Sequence, residues 1–110
     1  MAEEAFAEVP PRQLMLWLGE GRALRLLDVR EPDEWSRCRI PGAELRPLEQ
    51  ITEWAKTLDP AETIVVYCHH GIRSLHAALY LSSRGFTRVS NLRGGLDAFS
   101  LEADPSIPRY

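Results

Sequence analysis

The chain has 110 residues, 45% hydrophobic and 26% charged, with a formal net charge of -3 and two cysteines. That length buries roughly 65% of the surface the unfolded chain exposes, enough for one core, so several domains are excluded and the cysteines are too few for a disulfide scaffold. The acidic start from Met1 to Glu8 lacks a signal peptide's basic stretch, and apolar runs such as Leu14 to Leu18 fall far short of the about 20 residues a membrane span needs. Twelve of the basic residues are arginines, scattered among acids rather than gathered in a nucleic-acid-binding stripe. A cytoplasmic protein that binds neither membrane nor nucleic acid is expected.

Pro10 to Gln13 leads into Leu14, Trp17 and Leu18, an i, i+3, i+4 stripe stopped by Gly19 and Gly21, which predicts a short amphipathic helix. Leu24 to Val29 is a compact aliphatic run closed by Pro32 and reads as a buried strand. Asp33 to Cys38 has room for about one helical turn before Ile40-Pro41-Gly42-Ala43 breaks it. Leu48, Ile51, Ala55 and Leu58 then predict a second amphipathic helix, ended by Asp59-Pro60. Ile64 to Tyr67 is β-branched and aromatic, the pattern of a strand buried on both faces of a parallel sheet.

Leu75 to Arg84 predicts a well-buried helix with Gly85 as a left-handed cap, and Val89 to Leu92 predicts a further strand. Gly94-Gly95 reads as a turn, Leu96 to Leu101 as a last helix, and Pro105 and Pro108 mark a tail. Alternating strands and helices with short connections predict an α/β domain, with a mainly parallel sheet and helices on both faces. Its core is expected over about residues 9–101 of a single 1–110 domain. Ligands of such sheets bind at the carboxyl ends of the strands.

One such end carries chemistry. Cys68-His69-His70-Gly71-Ile72-Arg73-Ser74 joins a strand to a helix, and a turn of this length must curl, with Gly71 allowing positive φ, so that backbone N–H groups face the sulfur. Those donors and the positive end of the helix favour a thiolate, with Arg73 and any protonated His69 or His70 adding charge. A strand-terminal cysteine in isolation is more often a small buried hydrophobe, but that role does not call for two histidines, a glycine and an arginine at a helix start. His69 and His70 as zinc ligands are disfavoured, because adjacent side chains seldom converge on one ion and no other His or Cys lies at ligand spacing. No metal or cofactor is expected, and His76 reads as a surface or half-buried packing residue.

Four segments resemble the motifs of rhodanese-like domains, in that family's order. They are Leu26 to Trp35, Ile40 to Ala43, Val66 to Ser74 and Leu92 to Phe99. The resemblance implies a five-stranded parallel core, a catalytic Cys68 and a loop that cradles a persulfide or an incoming sulfur donor. Four residues separate Cys68 from Arg73, as in the sulfurtransferases, whereas the related phosphatases and arsenate reductases have five. A shorter ring of N–H groups suits sulfane sulfur rather than a tetrahedral oxyanion. The implied reaction is a two-step exchange in which Cys68 takes sulfur from a donor such as thiosulfate and passes it to a thiophilic acceptor.

Within that reading Arg73, and His69 or His70, hold the donor, Gly71 and Ile72 shape the cradle, and Ser74 caps the helix. Asp28 and Arg30 match a family pair and are read as buried supporting residues. The sequence departs from the family at Cys38, Arg39 and Phe99, and Cys38 is a candidate to resolve a Cys68 persulfide by disulfide formation. Two alternatives stay open. One is a persulfide relay from a cysteine desulfurase to a sulfur-carrier or tRNA-thiolation system, suggested by the tail from Ala103 to Tyr110, and its acceptor would be a protein. The other is a non-catalytic interaction module.

Overall fold

Strands β1 (Ala7–Val9), β2 (Arg25–Asp28), β3 (Glu44–Leu45), β4 (Ile64–Tyr67) and β5 (Val89–Leu92) form one all-parallel sheet in the order β1-β5-β4-β2-β3. The structure, a computed structural model, describes residues 6–110, so most of the segment read for a signal peptide lies outside it. The helices are α1 (Pro11–Gly19), α2 (Pro32–Arg37), α3 (Ile51–Trp54), α4 (Ile72–Ser83) and α5 (Gly95–Glu102). Among the described residues no helix is long and apolar enough to cross a membrane.

Side chains alternate across a strand, so β2 and β4 feed two cores. Leu27, Val29, Ile64, Val66 and Cys68 face α3 and α4 through Ile51, Trp54, Ala77, Ala78 and Leu81. Leu26, Val65 and Tyr67 face α1 and α5 through Leu14, Leu96 and Phe99. This double burial explains why β2, β4 and β5 read as strands from sequence. The edge strands do not: β1 buries only Val9, and β3 is two half-buried residues.

The helix predicted over 48–58 is α3 flanked by 3-10 turns at Leu48–Gln50 and Ala55–Thr57. Its periodicity survives in buried Ile51, Ala55 and Leu58. Helix α4 starts at Ile72, three residues before the predicted start, and ends at Ser83, one residue before the predicted end. Phe86 N bonds Leu81 O and Gly85 N bonds Ser82 O, with Gly85 at φ +92°, a Schellman stop whose Phe86 and Leu81 share one core. The Pro-containing tail also packs: Ile107 is buried, Ser100 Oγ donates to Ile107 O at 2.5 Å, and Arg109 pairs with Asp97 of α5.

Candidate active site

Cys68 follows the last residue of β4, at the carboxyl edge of the sheet between β5 and β2. Its Sγ is buried and accepts from Gly71 N at 3.1 Å, Ser74 N at 3.3 Å and Ser74 Oγ at 3.4 Å. Three converging donors over the first turn of a 12-residue helix complement negative charge on sulfur. The expectation that Ser74 caps α4 is corrected here. Gly71, at φ +100°, occupies the cap position without a side-chain bond, which places Ser74 inside the first turn and its hydroxyl on the sulfur.

A second helix holds the loop from the other side. The first N–H groups of α5 meet the loop carbonyls, Leu96 N to Cys68 O at 2.8 Å and Asp97 N to His69 O at 3.0 Å. Asn91 of β5 donates to Gly71 O at 3.3 Å. The loop is therefore clamped through its backbone, and its amides stay aimed at the sulfur.

Arg73 and His69 of the loop have partners of their own. Arg73 makes a two-pronged ion pair with Glu34 of α2, Nη1 to Oε1 at 2.6 Å and Nη2 to Oε2 at 2.9 Å, so it is engaged with a carboxylate rather than open to an anion. Ile72 is exposed at 65%. His69 is sandwiched between His70 (ring centroids 3.9 Å apart) and Tyr110 (3.8 Å, interplanar angle 7°), and its Nε2 is buried without a partner. Burial first, then the neighbouring His70, pull the His69 value below that of an ordinary imidazole. His70 and His76 are exposed.

His69, His70 and Asp97 bring ligand atoms within 4.8 Å of one another, a neighbour that spacing along the chain did not reveal. The imidazoles stack face to face with 29° between their planes, so their in-plane lone pairs do not converge on one point, and Arg109 Nε donates to Asp97 Oδ1 at 2.9 Å. Neither feature suits a tetrahedral ion.

Asp28 and Arg30 are both fully buried. Arg30 Nη2 donates to Asp28 Oδ2 at 2.6 Å and to Cys38 O at 2.6 Å, and Arg30 Nη1 donates to Tyr110 Oη at 2.7 Å. Tyr110 in turn donates to Glu34 Oε2 at 2.8 Å. A continuous array thus runs Asp28, Arg30, Tyr110, Glu34, Arg73, ending at the loop. Burial first, and then Glu34, push the Tyr110 phenol up to about 12 against the pull of Arg30. Cys38 packs with the core on the face of the sheet opposite Cys68, its Sγ 3.3 Å from Pro108 O.

Glu34 and Tyr110 were not singled out as site residues from sequence. Arg73's hydrogen bonds, helped by Glu31 N and Tyr110 and opposed by burial, bring the Glu34 carboxyl down to about 2 from an ordinary 4.5. A carboxylate depressed on folding contributes stability that is present above its unfolded value and lost as pH falls through its folded one. Stability is therefore expected to drop between ~pH 4.5 and ~pH 2. Urea midpoints across that window check this: Glu34→Gln should give a flatter profile, and a profile parallel to wild type would place the acid sensitivity elsewhere.

A family model described as Rhodanese-like domain matches residues 10–102. The chain belongs to the rhodanese-like domain family. It is 32% identical over 92 residues to thiosulfate sulfurtransferase GlpE of Pseudomonas fluorescens, covering 84% of this chain and 83% of that protein. It is 38% identical over 104 residues to a Mycobacterium tuberculosis protein named "Probable adenylyltransferase/sulfurtransferase MoeZ", covering 93% of this chain but 26% of that longer one. A crystal structure of a rhodanese-related protein from Thermoplasma volcanium superposes with a TM-score of 0.81 at 27% identity, over 96% of this chain and all of the other. These relatives place the domain in a sulfurtransferase family, and the resemblance drawn from the four motifs and the five-stranded parallel core both hold.

Proposed function

We propose that this domain transfers sulfane sulfur through a covalent persulfide on Cys68. The observation that carries the reading is the sulfur itself, buried at the carboxyl end of β4 under Gly71 N, Ser74 N and Ser74 Oγ. In the first step the Cys68 thiolate attacks the outer sulfur of the donor. For thiosulfate the S–S bond breaks toward sulfite, leaving Cys68–S–S⁻ and conserving charge. The terminal sulfur then lies among the donors that held the thiolate, which stabilise it as they would an oxyanion. In the second step an acceptor thiolate attacks that terminal sulfur and Cys68 leaves as thiolate, so no general base is required on the protein.

Similarity to a protein named an adenylyltransferase/sulfurtransferase supports the relay variant, in which donor and acceptor are proteins. Both variants share the Cys68 intermediate. Intact-mass measurement after incubation with thiosulfate or glutathione persulfide should show one added sulfur on wild type and none on Cys68→Ala. Absence of the adduct on reduced wild type with both donors would overturn the reading in favour of a non-catalytic interaction module.

A further inference from the structure

We propose that Glu34 sets the donor class of this site: by binding Arg73 it turns the site from inorganic dianions toward thiol-borne persulfide sulfur, an inference that rests on the sulfur-transfer reading above. Arg73 is the one permanent cation of the loop between Cys68 and Ser74. Both of its terminal nitrogens are taken by the two oxygens of Glu34. That carboxylate is fixed from three directions, since Oε1 also accepts from Glu31 N at 3.0 Å and Oε2 from Tyr110 at 2.8 Å. The capping bond to Glu31 locks it to the start of α2, and Tyr110 locks it to the tail, which is itself anchored by Arg109 to Asp97.

Two further arginines near the loop are also paired with carboxylates, while Arg37 and Arg93 are exposed. Arg30 faces Asp28, and Arg109 faces Asp97. Arg37 is exposed on α2, with its guanidinium carbon 5.8 Å from the centre of the Tyr110 ring, and is screened by solvent. His69 is half-buried and favours its neutral form. A dianion approaching Cys68 thus meets backbone N–H groups and a loop guanidinium already balanced by Glu34, which offers little counter-charge for the hydration the anion gives up.

A persulfide group carries at most one charge, located on the sulfur that is transferred, and any other charges of its carrier lie away from the reacting atoms. Cys68–S⁻ attacks the outer sulfur of R–S–SH, the S–S bond breaks toward R–S⁻, and the new persulfide R′–S–SH loses its proton to solvent or to the departing thiolate. Atoms and charge balance without an oxidant. The sulfur that arrives is the atom the loop amides are built to hold, and the leaving thiolate departs toward solvent.

Steady-state transfer from thiosulfate and from glutathione persulfide, measured on wild type, Glu34→Gln and Tyr110→Phe, tests this. Glu34→Gln keeps the shape and removes the charge, so Arg73 becomes available: KM for thiosulfate should fall about tenfold and become more salt-sensitive, while KM for the persulfide moves less than about twofold. Tyr110→Phe keeps the ring against His69 but withdraws one donor from Glu34, and should give a smaller shift in the same direction. A merely structural role would instead lower kcat for both donors without separating their KM values. An unchanged or raised thiosulfate KM in Glu34→Gln, with persulfide adducts still forming on Cys68, overturns the donor-class assignment alone. Loss of adducts from both donors on wild type overturns the sulfur-transfer reading beneath it.

Discussion

Gly95→Ala is expected to destabilise the protein by about 3 kcal/mol or more and to slow persulfide formation on Cys68 about a hundredfold. Two effects combine. Gly95 sits at φ +66°, which costs an L-residue with a side chain about 1–2 kcal/mol. An added Cβ would also lie 2.5 Å from His69 O and 2.6 Å from Cys68 O, backbone atoms that cannot swing away. The same carbonyls receive Leu96 N and Asp97 N, so relief means pulling the loop off α5 and turning its amides away from the sulfur. Gly85→Ala is the internal control. Its φ is +92° with nothing within 4 Å of the new atom, so it should show the conformational cost alone, about 1–2 kcal/mol, and full activity. Denaturant midpoints with adduct formation rates separate the two contributions. Equal stability losses in the two variants would mean that the close approach of α5 to the loop does not support the site.

This approach also marks where sequence reading stops. Cys68 and its strand-to-helix loop were legible because everything that marks them is local: a β-branched run, a cysteine at its end, a glycine and a helical pattern within a few residues. The three central strands were legible because burial on both faces leaves an unbroken apolar signature, whereas β1 and β3, at the edges, leave none. Ser74 was misread through a boundary. Placing the start of α4 at Leu75 makes Ser74 a cap, but the actual start at Ile72 brings its amide and hydroxyl onto Cys68.

The supporting array lay beyond local signals altogether. Glu34 is 39 residues from Arg73, and Tyr110 is 76 residues from Glu34, so no periodicity joins them. The sequence presents Arg73 as a free cation suited to an anionic donor, and only folding supplies its carboxylate. Tyr110 stands in a Pro-containing segment whose composition suggests a loose tail, yet buried Ile107 and the Arg109 to Asp97 pair hold it in place. The distinction matters chemically, because the inference about donor class turns on which charges are already balanced.

The far end of that array carries the other large effect. Arg30→Met should cost about 3–5 kcal/mol, a large share of the 5–15 kcal/mol that holds a domain of this size folded. Arg30 is fully buried, and the substitution removes the guanidinium from Asp28, from Cys38 O and from Tyr110 at once. The larger part of the loss comes from the Asp28 carboxylate, itself fully buried, which keeps the backbone N–H of residue 30 at 3.0 Å and the neighbouring Tyr67 phenol but no counter-charge. Replacing both partners removes that stranded charge, so Asp28→Leu with Arg30→Met should recover much of the stability although it deletes more hydrogen bonds. The recovery should not extend to the site, because Tyr110 still lacks the donor that orients its hydroxyl toward Glu34. The double variant should therefore shift the thiosulfate KM in the direction of Tyr110→Phe while unfolding near the wild-type urea midpoint. If the double variant is as unstable as the sum of the two single substitutions, the pair stabilises through its hydrogen bonds rather than by mutual neutralisation. If it is stable and its donor preference is wild-type, Tyr110 is held over the loop by its stacking on His69 and by the packing of Ile107, with no contribution from Arg30.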